Sequence, residues 1–190
     1  MRGNTSKIIE FNQHLQQNKT DIFGVVESFL SSDDKPPRLD KSYRWVGKCR
    51  KNGMKKGGVG FGLKSDIMIL DDNLNNSHND EYERLWVLVR LNNIKVALGV
   101  AYFPNDGTNK PKTDELFFEL LENTSSFASS GYEMILMGDL NGRCVTKCPF
   151  SDKNFPHVFQ SYNGNRLRQF IDASELCLVN TMPCCKGIYT

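Results

Sequence analysis

The sequence has no uninterrupted apolar run of the roughly 18 residues that a membrane helix requires. Its first residues, Met1 to Lys7, are polar where a secretory leader needs an apolar stretch. A soluble, intracellular protein with no membrane partner is therefore the expectation. A strong charge of either sign is also missing: 24 Lys and Arg stand against 22 Asp and Glu, for a net +2. That balance is too small to announce a nucleic-acid binder, and it neither supports nor excludes DNA. No internal repeat and no low-complexity tract is present. The six cysteines (Cys49, Cys144, Cys148, Cys177, Cys184 and Cys185) lack a zinc-finger pattern, because Cys184 and Cys185 are adjacent and no histidine follows at finger spacing. Reduced thiols are the default, with Cys177 expected in the core.

What is present is enough for one folded unit. The chain has 190 residues, 39% of them hydrophobic, which suffices for a sizeable core and reads as a single domain over 1–190. Ile8, Ile9, Phe11 and Leu15 recur at helical spacing and predict an amphipathic helix over Ser6 to Gln17. The short apolar run within Asp21 to Val26 reads as a strand covered on both faces, ending at the charged Glu27. Ser31 to Lys41, with Pro36 and Pro37, reads as a surface loop. Gly57 to Leu63 is a second strand, whose glycines suggest close approach of backbone or ligand. A polar loop over Asp71 to Glu83 precedes two apolar runs, Leu85 to Leu91 and Ile94 to Phe103. Asn92 and Asn93 join them, and this pair tolerates the positive φ of a tight hairpin. A helix is expected from Thr113 to about Phe127, then a strand over Glu133 to Met137 and a long loop over Gly142 to Asn163. A helix over Arg166 to Ser174 and a strand over Leu176 to Asn180 complete the reading. Hairpins mixed with helical crossovers point to an α/β protein with two packed mixed sheets flanked by helices.

Three strand ends each deliver polar groups, as a site built on a rigid core requires. Glu27 follows the first strand. Tyr102, then Pro104 and Asn105, ends the second hairpin strand. Gly138-Asp139-Leu140-Asn141 follows Met134 to Met137 and sets a carboxylate and an amide two residues apart, on one face of extended chain. Taken singly, Glu27 is a solvated acid or a helix cap, Tyr102 a core or rim aromatic with its hydroxyl satisfied, and Asn105 a turn residue. Taken together, the three ends read as a site.

These segments resemble the endonuclease/exonuclease/phosphatase superfamily, which includes apurinic endonucleases, DNase I and retrotransposon endonucleases. Asp21 to Glu27, Gly57 to Leu63, Val100 to Asn105, Ile135 to Asn141 and Asn165 to Thr181 look like successive blocks of that family, covering nearly the whole chain. The resemblance implies a four-layer α/β sandwich of the DNase I type. It implies Mg2+, with Mn2+ as a possible substitute, held by Glu27. It implies that Asp139 orients or deprotonates the attacking water while Asn141 holds water or phosphate oxygen. Tyr102 would contact the scissile phosphate, Asn105 would add a phosphate contact, and Thr190, after Tyr189, resembles a threonine beside the site.

Two pieces of the family pattern are not found. Arg2-Gly3 is present without the preceding strand and its metal-site asparagine. The chain stops at Thr190, before the expected strand aspartate and the closing Asp and His. His14 falls on the first expected helix and His78 and His157 in polar loops, so none fills that place. The expectation is therefore an incomplete sandwich truncated at both ends, with impaired catalysis. Asn165-Arg166-Leu167 through Phe170, and Leu176 to Thr181, look most like endonucleases of non-LTR retrotransposons, which nick target DNA and commonly open a reverse-transcriptase polyprotein. A nuclear location follows if genomic DNA is the substrate. Two alternatives stand beside that reading: a phosphatase or phosphodiesterase acting on a small molecule or lipid, and a non-catalytic remnant.

Overall fold

The structure is a computed structural model that describes residues 5–30, 36–49, 57–74, 83–105, 107–143 and 160–179. The order of elements is α1 (Thr5–Gln17), β1 (Ile22–Val25), β2 (Tyr43–Lys48), β3 (Val59–Lys64), β4 (Met68–Asp71), β5 (Glu83–Leu91), β6 (Ile94–Tyr102), α2 (Lys110–Ser129), β7 (Glu133–Asp139) and α3 (Tyr162–Ser174). The chain divides into two compact units: residues 1–103 with 127–139, and residues 104–126 with 140–190.

The first unit holds both sheets. In one, β3 lies between β1 and β2 and is antiparallel to each. In the other the order is β4-β5-β6-β7, antiparallel except for the parallel pair β6 and β7. This is the α/β class with two packed sheets that the mixed pattern implied. The turn between β5 and β6 places Asn92 at φ 46° and Asn93 at φ 69°, so both residues take the left-handed conformation of a two-residue hairpin. That turn sets nine cross-strand pairs, from Leu91 opposite Ile94 out to Glu83 opposite Tyr102.

Alternation then builds the core. Leu85, Val87 and Val89 of β5, with Val96, Leu98 and Val100 of β6, meet Val59, Phe61 and Leu63 of β3 in one buried cluster. Each such side chain contributes about 1.5–3 kcal/mol on removal from water. The opposite face of the second sheet is apolar too, since Trp86 packs at 4.9 Å on Phe127 in the last turns of α2. Burial on both faces explains why β5 and β6 read as continuous apolar runs. On the first sheet, α1 buries Leu15 and sets Phe11 edge-on to Phe23 at 5.0 Å. The glycines of β3 make room for aromatic rings: a Cβ at Gly62 would lie 2.0 Å from Phe23, and one at Gly60 would lie 2.3 Å from Trp45. At Gly60 and Gly62 the close approach is therefore by aromatic side chains, not by the backbone or ligand expected there.

The second unit carries most of α2 and all of α3, joined through Phe117 and Phe170 at 6.3 Å. Asp114 of α2 receives the Arg166 guanidinium at 2.6 and 2.9 Å and the Tyr162 hydroxyl at 2.7 Å.

Several boundaries differ from expectation. The second helix begins at Lys110 rather than Thr113, because Asn109 Oδ1 accepts the Lys112 N–H and caps it. The third helix begins at Tyr162 rather than Arg166, because Ser161 caps it by accepting from Gly164 N. Strands β2 and β4 were unanticipated; they are short, half-exposed edge strands, and β4 is broken by a bulge after Ile69. Leu176 to Asn180 does not form the expected strand within the described residues. Glu175 turns left-handed at φ 57° to end α3, residues 176–178 are irregular, and Asn180 lies outside the described residues. Cys177 is accordingly exposed, not buried in the core. Cys144, Cys148, Cys184 and Cys185 lie outside the described residues, as do His78 and His157. Among the described residues no helix is long and apolar enough to cross a membrane.

Candidate active site

Tyr102 ends β6, and its two strand neighbours end with acids in register. Glu83 of β5 is its antiparallel partner and Asp139 of β7 its parallel partner. Directly paired residues project to the same face, so the phenol lies in a row between two carboxylates. The ladder is held to its last step, since the Phe103 N–H donates to the Asp139 carbonyl at 2.9 Å.

Gly138 is what allows β7 to reach that register. Its φ is 129°, and a Cβ there would fall 1.9 Å from the Ala101 carbonyl oxygen and 2.8 Å from the Ala101 nitrogen. Only glycine permits this approach, and it immediately precedes Asp139.

Glu27 arrives from the other sheet. The chain leaves β1 and turns through Glu27 at φ 52° and Phe29 at φ 55°. Two backbone bonds fasten the turn: Ser28 N donates to Gly58 O at 2.9 Å and Phe29 N to Gly57 O at 2.6 Å. Holding non-glycine residues left-handed costs on the order of 1 kcal/mol each, and such strain concentrates at functional sites. The Tyr102 hydroxyl is hydrogen-bonded to the Glu27 carboxylate. The phenol pKa is raised, first by burial, then by the negative charge of Glu27 and the hydrogen bond to it, then by Asp139 and Glu83. Tyr102 is therefore a protonated donor throughout the neutral range. Glu27, Tyr102 and Asp139, read from three separate strand ends, meet in the first unit.

Asn105 and Asn141 belong to the second unit. Asn105 is exposed, with its carbonyl accepting from Thr108 N at 3.2 Å and Thr108 Oγ1 at 2.8 Å. Asn141 is half-buried at φ 48°, a conformation that asparagine tolerates. Thr190 lies outside the described residues.

Two residues were missed. The polar pattern makes Glu83 the end of a loop, yet it opens β5 with 5% exposure. Counting pairs outward from the Asn92-Asn93 turn would have placed it opposite Tyr102. Asn163, assigned to a loop, is fully buried in the first turn of α3, and no local pattern announces that.

Among the described residues no group of three or more His, Cys, Asp or Glu side chains forms a metal cluster. A magnesium site does not need one: Mg2+ commonly takes one or two carboxylates and completes its shell with water and phosphate oxygens. The exposed Glu27 carboxylate, beside Tyr102 and Asp139, is an all-oxygen donor set that fits such an ion.

No family model matches the chain, and no curated protein matches it in sequence. Solved structures do match. TDP2 from Caenorhabditis elegans aligns with TM-score 0.57 and 14% identity over 73% of this chain and 42% of its own. An endonuclease/exonuclease/phosphatase family protein from Bacteroides thetaiotaomicron aligns with TM-score 0.55 and 20% identity, over 72% of this chain and 54% of its own. D. rerio TDP2, complexed with single strand DNA product, gives TM-score 0.56 and 13% identity, over 81% of this chain and 72% of its own. At these identities the likeness is one of fold. The chain spans about half the length of the C. elegans TDP2 chains that it matches.

Proposed function

We propose that this chain, which has the fold of the endonuclease/exonuclease/phosphatase superfamily, is a divalent-metal-dependent phosphodiesterase that nicks DNA in the manner of non-LTR retrotransposon endonucleases. The observation that carries the proposal is the meeting of Glu27, Tyr102 and Asp139, with a hydrogen bond between the first two. The D. rerio TDP2 complex with a DNA product supports the choice of substrate.

Glu27 would hold Mg2+, with Mn2+ as a substitute; when bound, that ion supplies the positive charge that lets a site rich in acids accept an anionic phosphodiester. The remaining chemistry belongs to the chain. Asp139, exposed at the end of its strand, accepts a proton from the attacking water and aligns its oxygen on phosphorus. As that P–O bond forms and the bond to a sugar oxygen breaks, the sugar oxygen leaving as a hydroxyl protonated from solvent, charge accumulates on the non-bridging oxygens. Tyr102, whose single O–H is directed at Glu27 in the free protein, would turn it to one of these oxygens once Glu27 is engaged with the ion. Its pKa, raised first by burial and then by its acidic neighbours, keeps that proton in place. By the resemblance, Asn105 would contact phosphate oxygen and Asn141 would hold water or phosphate oxygen. Glu83 serves the phenol indirectly: paired beside it in the β5–β6 ladder, it adds to the raising of the Tyr102 pKa.

The test is nicking of supercoiled plasmid with Mg2+. The expected result is weak nicking, in line with the impaired catalysis expected above, that EDTA abolishes and that Asp139→Asn and Glu27→Gln each reduce by about a hundredfold or more. An inactive parent chain, or nicking that survives Asp139→Asn, overturns the proposal. Phosphate release from soluble phosphomonoesters without nicking would move the assignment to a small-molecule phosphatase.

A further inference from the structure

Asn163 is fully buried, and a buried primary amide is costly unless its hydrogens are used. Both are used, and on segments remote in sequence: Nδ2 donates to the Pro104 carbonyl at 3.0 Å and to the Leu140 carbonyl at 3.1 Å. Each carbonyl lies in the same rigid peptide plane as the nitrogen of the next residue. Those next residues are Asn105 and Asn141. One side chain thus fixes the peptide planes that launch both candidate phosphate-contact amides.

The neighbourhood is built to the same end. Ser161, the cap of α3, accepts from Arg143 N at 3.0 Å, and its own N–H donates to Arg143 O at 3.1 Å. A Cβ at Gly164 would lie 2.0 Å from Arg143 O, and one at Gly142 would lie 3.3 Å from Gly164 N. The first turn of α3 is pressed on residues 140–143, where Asn141 is held left-handed. A helix needs no buried asparagine in its first turn for its own sake, and this one's amide reaches 23 and 59 residues away.

We propose that Asn163 is a positioning residue for Asn105 and Asn141, setting the spacing of two neutral donors that bind phosphate oxygens; this rests on the phosphodiesterase reading above. Asn163→Ala removes both bonds, and Asn163→Ser keeps a single donor on a shorter arm. The experiment measures plasmid-nicking kcat and KM for the parent, both variants, and Asn163→Ala in an Asn105→Ala/Asn141→Ala background. Alongside, 15N spectra follow the backbone amides of Asn105 and Asn141, whose shifts report hydrogen bonding at the preceding carbonyls.

The expected result has three parts. Both amides shift in Asn163→Ala, kcat/KM falls on the order of tenfold or more, and the same substitution has little further effect once Asn105 and Asn141 are gone. The Asn163→Ser variant falls between parent and Asn163→Ala, and it carries the test if Asn163→Ala does not fold. An equal loss in the doubly substituted background shows a merely structural residue and overturns the proposal. So do unchanged amide shifts, or unchanged kcat/KM in a variant whose amides have shifted. A parent chain that does not nick overturns the functional reading itself, whereas an active parent indifferent to Asn163 overturns this inference alone.

Discussion

Gly138→Ala is the sharpest perturbation that the fold offers. The new methyl would lie 1.9 Å from the Ala101 carbonyl oxygen, and ordinary contact begins at 3.4 Å. The β7 backbone must therefore retreat from β6 by about 1.5 Å, with the φ of 129° strained as well. Strain of this kind costs about 1–3 kcal/mol, and the lost ladder bonds next to Tyr102 add to it, for a total of about 3 kcal/mol. For a chain of this length that lowers Tm by roughly 6–12 °C. Because Asp139 is the next residue, a displacement of this size also predicts a loss of about a hundredfold in nicking. The assay is thermal and urea unfolding of Gly138→Ala beside Gly131→Ala, whose φ of 73° is similarly unusual but whose added Cβ meets nothing within 4 Å. The control should lose only about 1 kcal/mol. If the two variants lose the same stability, the close approach of β7 to Ala101 is not what glycine provides, and the account of how Asp139 reaches its register is wrong.

Other consequences are open to measurement. The carboxyl of Asp114 is pushed up by burial but more strongly pulled down by hydrogen bonds from Arg166 and Tyr162 and by the Arg166 charge, for a net lowering. A depressed folded-state pKa contributes stability above the unfolded value near 3.8 that is lost as pH falls through the folded value. Asp114→Asn should therefore cost about 1 kcal/mol at neutral pH, a modest figure because the pair is 34% and 41% exposed. That cost should shrink below about pH 4, and a gap constant from pH 7 to 3 contradicts the linkage. Leu98→Ala, at a fully buried position of β6, should cost about 3 kcal/mol by chemical denaturation; a loss under about 1 kcal/mol would mean that the two sheets do not share the core described. Asn93→Gly, at φ 69° in the hairpin, should raise stability by about 0.5 kcal/mol, since glycine takes that conformation without a Cβ penalty. Any destabilisation there would speak against the two-residue turn.

The parts of the molecule legible in the sequence are those dictated by neighbours a few residues apart. The α1 helix, the apolar runs of β5 and β6 and the Asn-Asn turn are local, and each formed where expected, although Ile9 of the α1 stripe is exposed. Glu27, Tyr102 and Asp139 were legible for a related reason: a polar residue at the end of an apolar strand emerges at the rim of a core, wherever that core lies. Beginnings of helices were misread where a cap several residues upstream, Asn109 or Ser161, set the start. Strands β2 and β4 escaped notice because a half-exposed edge strand is stabilised by the partner it pairs with, and its own sequence need not alternate.

Local pattern thus determined which residues could be brought to a strand end or buried in a sheet, because helical and extended periods and turn chemistry act over a handful of residues. Only tertiary structure decided that Glu83 lies buried beside Tyr102, that Gly138 must yield to the backbone of Ala101, and that Asn163 grips carbonyls 23 and 59 residues away. Those facts arise from pairing and packing between distant segments, which a short-range pattern does not encode.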